Sequence, residues 1–309
     1  MAGKSMFSGV WVALVTPFRG GAVDEPALRA LVRHVLAGGV NGLVPLGTTG
    51  EAATLSAAEK QRVLEVVLEE ARGAVPVMPG TGSNNTETTI AQTRAARAAG
   101  AQAALVVTPY YNKPTPEGQV AHYEAVVRAN PGFPVLIYNI PGRTGVNMTV
   151  DTLLHLGRLP EIGGVKEASG SLDHASELVA GAAERSMDFA VLSGDDTLTL
   201  PMMAVGGRGV VSVVGNIVPR ETSAMVAQFA QGRTTDAARM HARLLPLVKA
   251  LFAETNPSPA KELLSVLGMC QNQVRLPLVP VREATAKRLR EVWERLGLEA
   301  PSPGTPASA

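Results

Sequence analysis

The sequence predicts an α/β fold: a (β/α)8 barrel of the TIM-barrel type with a C-terminal helical extension. Eight short apolar runs recur along the first 216 residues, with starts 20 to 33 residues apart, and helical patterns separate most of them. The runs are continuously apolar rather than alternating, which is typical of parallel strands covered on both faces. A doubly wound sheet is the alternative, since eight strand–helix units do not by themselves establish closure.

The eight runs are bounded by turn residues and by readable helix starts. They read GVWVALVTPF (from Gly9), NGLVPLG (Asn41), AVPVMPG (Ala74), AALVVTPY (Ala103), FPVLIYNIP (Phe133), IGGVKEA (Ile162), FAVLSGDD (Phe189) and GVVSVVGN (Gly209). Ser56 and Glu59 have the spacing of a capping box before KQRVLEVVLEEAR. Thr115 followed by Pro116 is typical of a helix start, with the threonine as N-cap.

The strand signal stops after Asn216, and the chain from about Val218 to Gly297 carries helical patterns. We therefore expect a catalytic barrel domain over 1–231 and a helical C-terminal domain over 232–300. Residues 301–309, PSPGTPASA, are rich in proline, serine and alanine and are expected to form a disordered tail.

The composition excludes several classes of protein. The 309-residue chain is 46% hydrophobic and 18% charged with a formal net charge of +1, so nothing in its charge favours nucleic acid or an anionic membrane as a partner. One cysteine, Cys270, excludes an internal disulfide and fits a reducing compartment. The N-terminal apolar run contains Pro17 and lacks a cleavage site, and no stretch is long enough to span a bilayer. The expected location is cytoplasmic.

Polar side chains collect where the predicted strands end, which is where barrels of this kind place their active sites. The second run ends in GTTGE (Gly47 to Glu51), the fourth in YYNK (from Tyr110), the fifth in YN, the sixth in KE and the seventh in SGDD. One lysine with several hydroxyls and phenols at one mouth is a chemically coherent set.

Lys166, in GGVKEASG, admits two interpretations from sequence alone. A buried lysine loses hydration of its cation, and the free amine is then available to attack a ketone and form a Schiff base. The other interpretation is a lysine that pairs with Glu167 or extends from a strand end to solvent. Alternation along a strand places Glu167 on the opposite side, which makes it a doubtful partner. The neighbouring glycines are expected to leave room for a small ketone.

Three neighbouring signals are individually weak. Tyr138 could relay protons, although an aromatic residue in FPVLIYN is more often part of the core. The GTTG turn offers hydroxyls and backbone N–H groups to a carboxylate, although alone it is more often only a tight turn. Arg143 could bind a second carboxylate, although a loop arginine is usually solvated. Their common location is what favours a site.

Other sites are not supported. GTGSNN lacks the third glycine of a dinucleotide-binding loop, and no phosphate-binding GK[ST] pattern occurs. The histidines show no metal-ligand spacing, and Asp195 and Asp196 are better explained as helix caps than as cation ligands. We expect no metal.

Taken together, GTTGE, TPYYNKPT, YNIPGRTG, GVKEASG and LSGDD occur in the order found in the dihydrodipicolinate synthase family of pyruvate-dependent class I aldolases. The chain resembles this family from about Gly9 to Leu298. The resemblance implies a barrel without metal or organic cofactor, usually a homotetramer built from tight dimers. The implied reaction condenses pyruvate with L-aspartate 4-semialdehyde to 4-hydroxy-tetrahydrodipicolinate, in the diaminopimelate route to lysine.

The resemblance also implies roles, position by position. Lys166 forms the imine with pyruvate. Tyr138, Thr48 and Tyr111 form a proton relay, and Tyr111 reaches the site of a neighbouring subunit. The remaining predicted substrate-binding residues are Thr49 for the pyruvate carboxylate, Arg143 for the semialdehyde carboxylate, and Gly194 and Val211, which line the pocket through backbone carbonyls.

Some positions separate this chain from relatives. Sialic acid lyases tend to carry Ser-Thr where this chain has Thr48-Thr49, and sugar-acid aldolases generally lack an arginine like Arg143. Both differences favour the synthase. Asn84 and Tyr110 match a lysine effector site, but Thr88 replaces its glutamate and Ala57 its frequent histidine, so lysine inhibition is expected to be weak or absent. Another pyruvate-imine aldolase or lyase, or a catalytically silent oxo-acid-binding barrel, are the alternatives.

Overall fold

The computed structural model describes residues 6–300, and the predicted tail at 301–309 lies outside the described residues. Nine strands are present in this part of the chain, seven of them in parallel pairings and two in a short hairpin. They are β1 (Gly9–Ala13), β2 (Phe18–Arg19), β3 (Ala22–Val23), β4 (Gly42–Val44), β5 (Ala104–Val107), β6 (Val135–Asn139), β7 (Ile162–Glu167), β8 (Ala190–Ser193) and β9 (Gly209–Ser212).

Twelve α-helices are described within the same range. They are α1 (Glu25–Ala37), α2 (Ala57–Ala71), α3 (Thr86–Ala98), α4 (Pro116–Arg128), α5 (Pro141–Thr144), α6 (Val150–Leu156), α7 (Leu172–Glu184), α8 (Thr199–Ala204), α9 (Pro219–Ala230), α10 (Thr234–Leu251), α11 (Ser258–Val266) and α12 (Glu283–Leu296). None of the helices within residues 6–300 combines the length and the apolarity that a bilayer span requires.

Both helix starts that the sequence predicts are confirmed. The Ser56 hydroxyl accepts a hydrogen bond from the Glu59 N–H at 3.2 Å, and the Glu59 carboxylate accepts one from the Ser56 N–H at 2.8 Å, which is a complete capping box at the start of α2. The Thr115 hydroxyl accepts from the Gly118 N–H at the start of α4, with Pro116 in the first turn.

The chain forms two compact units, and the first comprises residues 6–9 and 78–211 of the described range. Strands β5, β6, β7, β8 and β9 pair in chain order, each parallel to the next. A doubly wound sheet reverses its strand order at a switch point, and no reversal occurs here. The (β/α)8 barrel prediction is confirmed.

The second unit comprises residues 10–77 and 212–300 of the described range. Here β1 runs parallel to β4, with Trp11 opposite Gly42, and β2 and β3 form the hairpin. Helix α10 packs against α9 and α12, and α11 packs against α12. The C-terminal helical extension is therefore present, and the predicted boundary after residue 231 falls between α9 and α10.

One predicted strand is not formed as such. The run AVPVMPG contributes only two single-residue bridges: Val77 to Leu43 in the second unit and Gly80 to Leu105 in the first. Pro76 and Pro79 lack the N–H donor that a continuous ladder needs, so pairing in this run is interrupted.

Candidate active site

The ends of β6 and β7 bring two predicted catalytic residues side by side. Tyr138 lies opposite Lys166 in the parallel register, and the next pair along is Asn139 opposite Glu167. Because side chains alternate between the two faces of a strand, Tyr138 and Lys166 share one face while Asn139 and Glu167 share the other. The strand register alone therefore places the side chains of Tyr138 and Lys166 on the face opposite the Glu167 carboxylate.

Lys166 is buried without an acidic partner. It is 6% exposed, and its Nζ lies 4.1 Å from the centroid of the Tyr138 ring, which is itself 5% exposed. Among the ion pairs of residues 6–300, none involves Lys166. The Nζ atom therefore contacts an aromatic face rather than a carboxylate. This geometry removes the ion-pair interpretation of Lys166.

Glu167 has partners of its own on the opposite face. Its carboxylate accepts hydrogen bonds from Asn139 Nδ2 at 2.9 Å and from the Ser169 N–H at 2.6 Å, and His174 Nδ1 lies 3.1 Å away. Burial alone would raise the pKa of Glu167, but these contacts outweigh it and lower that pKa below its ordinary value. The contact with Glu167 raises the pKa of His174. The expectation that Glu167 is not the partner of Lys166 is confirmed.

Gly194 lies close to the strand that carries Lys166. Its N–H donates to the Glu167 carbonyl at 2.7 Å, and a Cβ at this position would lie 3.1 Å from Lys166 Cε and 2.6 Å from Ala168 Cβ. A side chain at position 194 would therefore clash with Ala168 and would require a small shift of the Lys166 side chain. Val211, also predicted to line the pocket, lies in β9 and is buried.

The glycines that precede Lys166 do not leave open space, so that expectation is wrong. A Cβ on Gly163 would meet the Phe7 ring at 2.2 Å, and one on Gly164 would meet the Ala190 carbonyl oxygen at 2.0 Å. Gly164 also has φ 151°. These glycines permit close packing behind the strand and do not provide a ligand cavity.

Three further predicted residues lie on exposed segments of the first unit. Arg143 is exposed in the short helix α5, which follows β6 directly. Tyr111 is 88% exposed and has φ 71°, an unusual conformation for an aromatic residue. Tyr110 is 39% exposed. In the predicted effector set, the Asn84 carbonyl accepts from Asn112 Nδ2 at 2.8 Å.

The GTTGE turn, Gly47 to Glu51, lies in the second unit and is closed by its own backbone. The Gly50 N–H donates to the Gly47 carbonyl and the Glu51 N–H to the Thr48 carbonyl, both at 3.1 Å. Thr48 is half-buried, while Thr49 is 3% exposed and its hydroxyl accepts a hydrogen bond from Asn256 Nδ2 at 2.9 Å. Glu51 has φ 52°.

Two residues that hold this turn were not anticipated from the sequence. Asn256 precedes α11, and Lys261 in α11 forms a buried ion pair with Glu51. The signal in the sequence was a lysine and a glutamate inside the apolar run SPAKELLSVL. The structure buries the whole first part of α11, so these two charged residues do not lie on a solvated helix face.

Asp195 acts as a cap, as the sequence analysis favoured. Its carboxylate accepts from the Thr197 N–H at 2.8 Å and the Thr197 hydroxyl at 2.7 Å, at the start of a short 3₁₀ turn. Within residues 6–300, no group of three or more His, Cys, Asp or Glu side chains is arranged as a metal site.

Comparison with known proteins gives the family. Residues 6–295 match the dihydrodipicolinate synthetase family. The chain belongs to that family. A 4-hydroxy-tetrahydrodipicolinate synthase from Thermomicrobium roseum is 51% identical over 284 residues, covering 92% of this chain and 93% of the relative.

Solved structures agree with this membership. Dihydrodipicolinate synthase from Thermotoga maritima superposes with a TM-score of 0.92 at 41% identity, covering 94% of this chain and 99% of that one. A structure described as a monomeric dihydrodipicolinate synthase variant gives a TM-score of 0.93 at 42% identity, with 96% and 98% covered. The resemblance predicted from the motifs is confirmed, and so is the prediction of an enzyme of the lyase class with 4-hydroxy-tetrahydrodipicolinate synthase activity.

Within this family framework, the structure brings some of the predicted residues into contact. Lys166 Nζ lies over the Tyr138 ring, and Gly194, which follows β8, donates its N–H to the carbonyl of Glu167, the residue next to Lys166. Arg143 and Tyr111 lie on exposed segments of the same unit, and Thr48 and Thr49 belong to the other unit.

Proposed function

We propose that Lys166 forms the imine through which this chain condenses pyruvate with L-aspartate 4-semialdehyde to give 4-hydroxy-tetrahydrodipicolinate. One observation supports this most strongly: Lys166 is a buried amine at a strand end, with no carboxylate partner within residues 6–300 and with the Tyr138 phenol ring against it. A desolvated amine beside a group that can transfer protons is what imine formation needs.

The proposed reaction passes through an imine and an enamine before the lysine is released. Lys166 Nζ attacks the ketone carbon of pyruvate, and the resulting carbinolamine loses water to give the imine. The protonated imine withdraws electrons, so a methyl proton can leave and an enamine forms. The enamine carbon attacks the aldehyde carbon of the semialdehyde and creates the new carbon–carbon bond. Water then hydrolyses the imine and releases the Lys166 amine together with the open-chain product. The amino group that came from the semialdehyde condenses with the ketone carbon of this product, and the ring of 4-hydroxy-tetrahydrodipicolinate closes with loss of water. The lysine imine itself serves as the electron sink, which is why no cofactor is proposed.

The other roles in this proposal rest on the family motifs. Tyr138, Thr48 and Tyr111 relay protons to and from the carbinolamine. Thr49 binds the carboxylate of pyruvate and Arg143 that of the semialdehyde. Gly194 and Val211 contribute backbone carbonyls, and Gly194 follows β8, the strand that pairs with the Lys166 strand.

A homotetramer, as a dimer of dimers, is part of the proposal. Tyr111 supports it, because its φ of 71° costs roughly 1–3 kcal/mol and holds an 88% exposed ring where a neighbouring subunit can bind it. In the proposed assembly this phenol enters the site of a neighbouring subunit. Sedimentation analysis of the wild type and of Tyr111→Phe tests the assembly. Turnover by the same two proteins tests the proton-relay role of the phenol separately.

Reduction with borohydride in the presence of pyruvate tests the imine. We expect a pyruvate adduct on the peptide that contains Lys166 in the wild type, and none in Lys166→Met. A coupled assay then compares L-aspartate 4-semialdehyde with sugar-derived aldehydes. Absence of the adduct would remove the imine mechanism, while an adduct without turnover of the semialdehyde would point to another pyruvate-dependent aldolase.

Weak or absent inhibition by lysine is also part of the proposal. Thr88 and Ala57, both exposed, stand where the inhibited pattern has a glutamate and a frequent histidine. Without the glutamate, a bound lysine ammonium lacks its counter-charge, although Asn84 and Tyr110 are present. We expect turnover to be unchanged at submillimolar lysine, and Thr88→Glu to gain sensitivity. Submillimolar inhibition of the wild type would contradict this.

A further inference from the structure

The hydrogen bond from Asn256 fixes the direction of the Thr49 hydroxyl. A hydroxyl has one donor and two acceptor positions. Asn256 Nδ2 can only donate, and it lies 2.9 Å from Thr49 Oγ1, so this bond occupies an acceptor position of the oxygen. The Thr49 proton is therefore directed away from Asn256 and is available to an anionic acceptor elsewhere.

The rest of the turn is held by the same C-terminal segment. Lys261 Nζ donates to the Glu51 carboxylate and, at 2.8 Å, to the Gln273 carbonyl. The other Glu51 oxygen accepts from the Arg275 N–H at 2.9 Å. Lys261 is fully buried and Glu51 is 4% exposed. Because the ion pair is enclosed and each partner has a second contact, the GTTGE turn has little freedom to move.

We propose that Asn256 is a positioning residue for substrate selection, acting through Thr49. Asn256 occupies an acceptor position of the Thr49 hydroxyl. The Thr49 O–H can then donate its hydrogen bond to the carboxylate of the 2-oxo acid. The Lys261–Glu51 pair keeps the turn, and so Thr49, in place. This inference rests on the proposed role of Thr49 in binding pyruvate.

Asn256→Asp is the informative change, because it keeps the shape and reverses the hydrogen bond. A carboxylate at position 256 accepts the Thr49 proton and removes it from the substrate. We expect KM for pyruvate to rise about 10- to 100-fold, the loss typical of one charge-assisted hydrogen bond, while KM for the semialdehyde changes little. Asn256→Ala, which removes the donor without adding an acceptor, should raise KM for pyruvate less.

A double-mutant cycle separates positioning from a purely structural role. If Asn256 acts through Thr49, Asn256→Asp has no further effect on KM for pyruvate once Thr49→Val has removed the hydroxyl. Asn130→Asp is the matched control: Asn130 is 1% exposed, and its Nδ2 donates to the Val126 carbonyl, far in sequence from the turn. It should lower the melting temperature but leave KM for pyruvate unchanged.

The outcomes are distinct. Additive effects of the two substitutions, or a KM change that simply follows the loss in melting temperature across Asn256→Asp, Asn256→Ala and Asn130→Asp, would overturn the inference. If Asn256→Asp does not fold, the cycle is run with Asn256→Ala. Failure of the wild type to form the borohydride adduct would instead overturn the proposed function, so the two failures can be told apart.

Discussion

Two lysines of residues 6–300 are buried, and their surroundings differ in one respect. Lys166 in β7 and Lys261 in α11 each place Nζ over an aromatic ring, at 4.1 Å from the centroid of Tyr138 and 4.0 Å from that of Phe18. Lys261 also has the Glu51 carboxylate and the Gln273 carbonyl as acceptors. Lys166 has no carboxylate partner in the part of the chain that the structure describes.

The difference agrees with a structural role for Lys261 and with the nucleophilic role that we propose for Lys166. Removing an ammonium from water is costly, and a buried ion pair offsets most of that cost. Burial lowers the pKa of Lys261, while the charge of Glu51 acts in the opposite direction and favours its ammonium. Lys166 lacks that stabilisation, and an amine that must lose its proton to react cannot be tied to an acid. Four experiments test this contrast.

Lys166→Met gives the largest expected effect. We expect kcat/KM to fall on the order of 10⁴-fold or more, since the covalent nucleophile is lost. The free energy of unfolding should stay the same or rise by about 1 kcal/mol, because an apolar side chain replaces a buried polar group that has no ion-pair partner within residues 6–300. Steady-state kinetics and denaturant unfolding measure both. A marked loss of stability in Lys166→Met would mean that this lysine is structural after all.

Tyr138→Phe makes the surroundings of Lys166 resemble those of Lys261, whose ring is already a phenylalanine. The aromatic face remains and only the hydroxyl is lost. If the phenol relays protons, kcat should fall about 10²- to 10⁴-fold while the borohydride adduct with pyruvate still forms, more slowly. Full turnover by this variant would show that Tyr138 contributes only its ring.

Lys261→Met should have the opposite profile from Lys166→Met. It leaves the Glu51 carboxylate buried without its cation, and breaking a buried pair in this way costs about 3–5 kcal/mol of stability. The second change Glu51→Gln should recover part of the loss by removing the unpaired charge. Denaturant unfolding of the three variants measures this, and the pyruvate adduct should still form in those that fold. An unchanged stability in Lys261→Met would contradict the contrast.

The sequence was sufficient for the fold because its strands are strongly apolar and evenly spaced. Where Pro76 and Pro79 interrupt the third run, the apolar pattern persists but the ladder does not, so hydrophobicity overstates the strand. Lys166 and Tyr138 could be placed together because both lie at the ends of neighbouring parallel strands. The strand register then puts the two residues opposite each other.

The residues behind the turn could not be predicted in the same way. Asn256 and Lys261 are more than 200 positions from Thr49 and Glu51, and only the tertiary fold brings them within hydrogen-bond distance. A charged residue inside an apolar helical pattern can be recognised in the sequence, but the sequence does not show which residue it pairs with. Gly163 illustrates the converse error: a glycine beside a reactive residue suggested space, while the Phe7 ring fills it.

The smallest expected effect concerns Glu167, which lies on the face of β7 opposite Lys166. Its partner is His174 and not Lys166. The folded-state pKa of His174 lies above 6.5, so its pairing with Glu167 contributes stability below that pH, lost as pH rises through the folded value. The pKa of Glu167 lies below 4.5, so its contribution holds above 4.5 and is lost as pH falls through the lowered value. The wild type should therefore exceed His174→Gln in unfolding free energy by about 1–2 kcal/mol near pH 5.5, and by less near pH 8.5. Denaturant unfolding at both pH values measures this, and a difference independent of pH would show that His174 stabilises β7 by packing alone.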